Sequence, residues 1–295
     1  GGFRSMPRAA FNLLALQRLH RSARGVYRTR ISHSFDIGGE PNRGYLSFVA
    51  GLAMGRTAAE ISLEAEAEAK HSQLISMHAS FSSSTRGNAE AVIEVEALRT
   101  SRSTSTLLAR LLQDDKLCAC FTGIYGDHAA LDGGSGFDLP APELPASSAC
   151  MSAMPHLMKS MEGRMLTEIE LLVPSCDSFL SAVADDAMPK FEAWGSFAQT
   201  FPIDITHLPF FGASCPSPTS ILQGEDWAPP LEYSVFVHKA PPMNSTKVRI
   251  SLHVSGSAHG HIVEDGAIWS EGGQHLLART RKLIKLNQLD KPCTT

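Results

Sequence analysis

Apolar and polar positions along this chain follow two periods, and their order sets the first expectations. NAEAVIEVEALRTS (88–101) alternates through Val92, Ile93 and Val95, and SQLISMHASFSSS (72–84) alternates in part. That period of two is the mark of half-buried strands. STSTLLARLLQDDKLCACFTGIYG (103–126) predicts a hairpin turning at Gln113-Asp114-Asp115-Lys116. Ahead of these, RTRISHSFDI (28–37) is strand-like. Residues 43–68 predict a long helix ending in the polar EISLEAEAEAK.

The second half repeats this order. EYSVFVHKAPP (232–242) begins a strand, a Pro turn and a long strand follow, and a hairpin turns at Ser270-Glu271-Gly272-Gly273. Setting His78 against Tyr233 and Gln113 against Ser270 gives offsets of 155 and 157, so the register holds within two residues. Two copies of one unit are expected. Between them, GDHAALDGGSGFDLPAPELPASSAC is a Gly/Pro/Ala/Ser linker. MLTEIELLV (165–173) and FEAWGSFAQTFPI (191–203) predict further strands, and DITHLPFFGASCPSPTSIL is a short apolar stretch. The expected division is an N-terminal helical segment (1–27), a first repeat (28–126), a linker (127–160) and a second repeat (161–290).

With 43% hydrophobic and 19% charged residues, the 295-residue chain can bury a sizeable core. A formal net charge of −4 gives no global pull toward nucleic acid or a membrane surface, and no apolar run approaches the roughly 20 residues of a membrane span. Six cysteines without disulfide-type spacing favour a reducing setting, and the cytoplasm is the expected compartment. Seven arginines precede the first acid, Asp36. They read either as an amphipathic helix over AAFNLLALQRLHRSA (9–23) or as a mitochondrial transit peptide. No cofactor or metal site is expected, His259 and His261 sharing a strand face without a third ligand.

FDIGGEPNRGYL (35–46) resembles the opening motif of the acyl-CoA thioesterase-like double-hotdog proteins, and MHASFSSSTRGNAEAVIEVEALRTSRSTSTLLARLLQDDKLCACFTG follows their later strands. EYSVFVHKAPP and EDGAIWSEGGQHLLARTRKL resemble the tandem copy, and GIYGD before a Gly/Pro-rich linker is similar to fungal members. The resemblance implies an α+β tandem (double) hotdog, with two long helices each wrapped by an antiparallel sheet. It also implies acyl-thioester chemistry on acyl-CoA or a carrier-bound chain, and leaves room for a homo-oligomer. In that family the carbonyl lies by a helix N-terminus, where free N–H groups stabilise an oxyanion, and an acid aided by Thr and Gln positions water. Gly39, Asn42, Arg43, Gly44 and Tyr45 are therefore candidate substrate-binding residues, with His78 and Lys282.

The same resemblance exposes departures. The family acid falls at Ala213 or at Cys215, its Thr near Pro230 and its Gln at Lys282. Water activation needs a proton acceptor or a nucleophile, so replacements are sought. Cys215 is a candidate acyl-enzyme nucleophile, against the alternative of a small packed hydrophobe. Glu232 and His238 share one strand face and form a candidate base pair, against a solvent-facing Glu and a strand-end His. His33 stands near the helix start. Three functions remain open: thioesterase-like hydrolysis with a non-standard catalytic set, a repurposed biosynthetic enzyme that cyclises, dehydrates or releases a polyketide-like chain, and a non-catalytic acyl-binding protein.

Overall fold

The computed structural model describes residues 20–67, 70–131, 139–155, 157, 163–175, 189–215, 217–218 and 228–285. The arginine-rich stretch over residues 1–19 lies outside them. The first repeat runs β1 (His20–Ala23), β2 (Val26–Arg30), two-residue strands β3 (Asp36–Ile37) and β4 (Glu40–Pro41), α1 (Arg43–Glu64), β5 (Gln73–Phe81), β6 (Glu90–Thr100), β7 (Thr104–Gln113) and β8 (Lys116–Gly126). A four-residue helix, α2 (His128–Leu131), opens the connection. The second repeat runs β9 (Met151–Ser152), β10 (Ile169–Val173), β11 (Lys190–Phe197), α3 (Leu208–Ser214), β12 (Pro230–Val237), β13 (Lys247–Ala258), β14 (His261–Ser270) and β15 (Leu276–Lys285).

Thirteen strands form one antiparallel sheet in the order β1-β2-β6-β7-β8-β5-β12-β15-β14-β13-β11-β10-β9. Apart from the terminal β9, that order is a palindrome of equivalent strands about the β5–β12 pair. His78 lies opposite Ser234 there, an offset of 156 and between the two read from the sequence. The axis relating the repeats passes beside this pair, and joining β5 to β12 buries the edge each repeat would otherwise expose. The β7–β8 turn falls where alternation placed it, with Asp114 and Asp115 both at positive φ as a type I′ turn requires.

Asn42 starts α1. Its Oδ1 accepts from the backbone N–H groups of Gly44 and Tyr45 at 2.8 and 3.1 Å, satisfying two of the four orphan donors of the first turn. The helix is buried on more than one face, Leu46, Val49, Ala53 and Met54 among its core residues, because the sheet wraps it on one side and α3 crosses it on the other. It ends where Glu66 takes a left-handed φ of 50° and the Ala67 N–H bonds back to Ser62 O.

Two expectations change. His20–Ala23 do not continue an N-terminal helix; they form β1, paired with β2, so the sheet begins inside the segment assigned to 1–27. The second long helix is not seen among the described residues: α3 spans 7 residues against 22 in α1. The physical reason is Pro216. A residue before proline is pushed out of the helical region, and Cys215 has φ −74° and ψ 139°. No helix among the described residues is long and apolar enough to cross a membrane.

Candidate active site

The start of α1 and the end of α3 meet so closely that neither tolerates a larger side chain. A Cβ on Gly44 would lie 2.7 Å from Ala213 Cβ and 2.9 Å from Phe210 O, so only glycine fits there. Asn42 Nδ2 donates to Ala213 O at 3.3 Å, tying the cap of one helix to the last turn of the other. Tyr45 is anchored in the same layer: its Oη accepts from Ser32 N at 2.9 Å, and its ring stacks on Phe35 at 4.6 Å between centroids.

Beneath the end of α3, β14 and β15 bring a buried ion pair into the core. Glu264 and Lys282 face each other across the ladder, and Lys282 Nζ lies 2.6 Å from Glu264 Oε1. They are only 1% and 2% exposed. Lys282 Nζ also donates to Cys215 O at 3.5 Å. Glu264 Oε2 and Thr280 Oγ1, both buried, have no hydrogen-bond partner among the described residues. Thr280 packs under α3, where a Cβ on Gly212 would lie 2.5 Å from its Cγ2. Tyr233 Oη donates to Pro209 O at 2.9 Å and closes the layer. Burial pushes the Cys215 thiol up to about 12, Lys282 opposing and Glu264 reinforcing that rise. Leaving a buried carboxylate oxygen without a partner is costly unless a ligand or water completes it.

Residues 31–126 match the family model of the acyl-CoA thioesterase N-terminal domain. Over those residues the first repeat is similar to acyl-CoA thioesterase domains. A candidate thioesterase II of Thermobifida fusca superposes with a TM-score of 0.75 at 18% identity, over 97% of this chain and 100% of its own. The tesB protein of Mycobacterium avium subsp. paratuberculosis gives 0.72 at 16%, over 95% and 100%. A conserved protein with the hot dog fold from Alicyclobacillus acidocaldarius gives 0.74 at 16%, over 93% and 98%. At these identities the structures establish the hotdog fold. No curated protein matches the sequence.

Within this hotdog frame, the structure brings Asn42, Gly44, Cys215 and Lys282 together and sends other candidates elsewhere. Glu232 and His238 do share a strand face, but it is the solvent face; Tyr233, Val235 and Val237 take the core face. At about 3.3 Å per residue the two are also too far apart to act as one base, so the proposed Glu–His pair is withdrawn. His78 lies on the same outer surface, its Nδ1 2.9 Å from Ser234 Oγ. Gly39 is exposed at φ +81° with nothing within 4 Å of a built Cβ, and His33 is half-buried in the 3-10 turn before β3. Arg43 turns inward: it donates to Pro230 O at 3.0 Å, lies 3.7 Å from Glu40 and covers the Phe81 ring at 4.7 Å. It joins the two repeats at the point where the resemblance placed the family Thr. His259 and His261 do not share a strand, since His259 and Gly260 form the turn between β13 and β14.

Sequence reading missed Glu264 and Thr280. The signal for Glu264 was present: in HIVEDGAIW it stands in the register of Ile262 and Ile268, and a charge in a core register calls for a buried partner.

Proposed function

We propose that this protein hydrolyses acyl thioesters, of CoA or of a carrier, at the junction of the α1 start, the α3 end and the β14–β15 pair. The observation that carries the reading is the buried Glu264–Lys282 pair with Glu264 Oε2 unsatisfied. It stands at the position where the resemblance places the family Gln and under the segment where it places the acid. In this reading Glu264 takes a proton from water as the water oxygen attacks the thioester carbon. The Lys282 ammonium offsets charge growing on the carbonyl oxygen. When the C–S bond breaks, the thiolate takes up that proton, giving a carboxylic acid and a free thiol. The α1 amides contribute less than in the family pattern, because Asn42 already occupies those of Gly44 and Tyr45. Cys215 is not the nucleophile here: with its thiol at about 12 the thiolate population at neutral pH is negligible.

The test is thiol release from acyl-CoA esters of graded chain length. Turnover that is lost in Glu264→Gln and retained in Cys215→Ala supports the assignment. Full turnover in Glu264→Gln removes it. The replaced family positions favour a second reading, in which the pair moves protons on a polyketide-like acyl chain without hydrolysis. Consumption of a carrier-bound substrate without thiol release would select that reading.

A further inference from the structure

The axis that relates the repeats maps the closed α1–α3 contact onto a second place, and there the contact is open. Asn42 caps α1 through the amides of Gly44 and Tyr45; Asp204 caps the turn before α3 through the amide of Thr206. Aligning the caps sets Gly44 with Thr206, Leu46 with Leu208, Phe48 with Phe210, and Gly51 with Ala213. The Gly44–Ala213 contact therefore has Thr206 and Gly51 as its counterpart. Where the first has no room for a Cβ on Gly44, which would lie 2.7 Å from Ala213 Cβ, the second lines a cavity of about 220 Å³. The difference lies in side chains that are missing. Gly51 and Gly55 bare one wall, and a Cβ on Gly51 would meet only Met77 Cε at 3.5 Å and Tyr125 Oη at 3.7 Å.

The lining chooses the kind of ligand. Leu52, Ala59, Leu74 and Pro209 make it predominantly apolar, and the Tyr125 hydroxyl is already committed to Gly51 O at 3.0 Å. Among its described lining residues the charged ones are Arg56 and Lys70, both positive. An apolar pocket with cations and, among its described lining residues, no carboxylate suits a chain ending in an anion and offers no acid to activate water. We propose that this cavity is a second, non-hydrolytic site that binds a medium-chain carboxylate, alkyl chain against Gly51 and Gly55 and anionic end toward Arg56 and Lys70. The proposal is independent of the chemistry assigned to Glu264 and Lys282.

The probe is decanoate, titrated calorimetrically below its micelle concentration into the full chain, with decanol as the uncharged control. Saturable decanoate binding is expected in the wild type and in Glu264→Gln. It is expected to be lost in Gly51→Leu, whose side chain fills the cavity, and weakened about two- to fivefold in Lys70→Gln while decanol binding holds. Leu52→Trp, from the half-buried wall, fills the same space by another route, and its fluorescence gives a second readout should Gly51→Leu fail to fold. Absence of saturable binding overturns the proposal. So does binding unchanged in both filling variants, or binding that disappears in Glu264→Gln alone, which would place the probe at the other site.

Discussion

Removing Glu264 and Lys282 one at a time and then together separates what the pair does for the fold from what it does for the reaction. Each side chain is almost fully buried and holds the other at 2.6 Å. Glu264→Leu leaves an ammonium in the core with only Cys215 O at 3.5 Å for company, and Lys282→Met leaves a carboxylate there. Breaking a buried pair from one side costs about 3–5 kcal/mol, whereas exchanging both partners for apolar residues is often neutral or stabilising by about 1–4 kcal/mol. The molecule contains its own precedent for the double exchange. Met77 and Tyr233 are equivalent by the 156-residue offset; Gly123 lies opposite Met77 and Lys282 opposite Tyr233, while Leu107 faces Gly123 as Glu264 faces Lys282. The first repeat thus builds the same crossing from Leu107 and Gly123, with Met54 Cε 2.8 Å from a Cβ built on that glycine. A buried cation is not required by the architecture. For a chain of this size each kcal/mol moves Tm by roughly 2 °C, so each single variant is expected to melt about 6–10 °C lower. The Glu264→Leu/Lys282→Met double variant is expected to melt near or above the wild type while releasing no thiol. Thermal denaturation by circular dichroism and a thiol-trapping assay on the four proteins complete the cycle. A double variant as unstable as the singles would refute the reasoning about burial. A stable double variant with undiminished thiol release would refute the assignment of the site.

Three further outcomes follow from the geometry. Asn42→Ala orphans the amides of Gly44 and Tyr45 and cuts the link to Ala213 O; a loss of about 1–2 kcal/mol is expected in urea titration, with Asn42→Asp keeping the helix cap but not the link. The Cys215 thiol, at about 12, is expected to resist iodoacetamide in the native state at pH 8 and to react only on unfolding, which mass spectrometry after timed quenching would show. Burial opposes ionisation of Asp204, but its bonds with His207 and with Thr206 outweigh that and hold it at about 2, below the ordinary 3.8. A carboxyl depressed in the folded state contributes stability that is present above the unfolded value and lost as pH falls from there through about 2. Asp204→Asn should therefore lose that stability at neutral pH, converge on the wild type near pH 2 and flatten the acid limb between; an unchanged acid limb would count against the cap.

The parts of this molecule that were legible in its sequence are those where one local rule acts alone. The β7–β8 turn and the alternation of β6 are each decided within a few residues, and each is found where expected. The tandem order was legible because two such series recur at one offset, and the β5–β12 register gives that offset physical form. What could not be read depends on which way a face turns. Glu232, Ser234, Phe236 and His238 alternate as well as a core strand does; only the packing of Tyr233 against α3 shows that theirs is the outer face. The end of α3 at Ser214 was hidden for the opposite reason. A family resemblance implied a long helix there, while Pro216 argues locally for a break, and Cys215 obeys the local rule. The two repeats have diverged in complementary directions. The first carries apolar Leu107 and Gly123 where the second carries Glu264 and Lys282; the second has Ala213 filling the space that Gly51 leaves open in the first. Each change is small in sequence, a methyl group in one case and a charge pair in the other. At the same two crossings of one duplicated fold, they set a buried ion pair beside a closed helix contact on one side and a largely apolar cavity lined by Arg56 and Lys70 on the other. On the two proposals made above, that division would place the chemistry at one junction and let the other hold a chain without cleaving it.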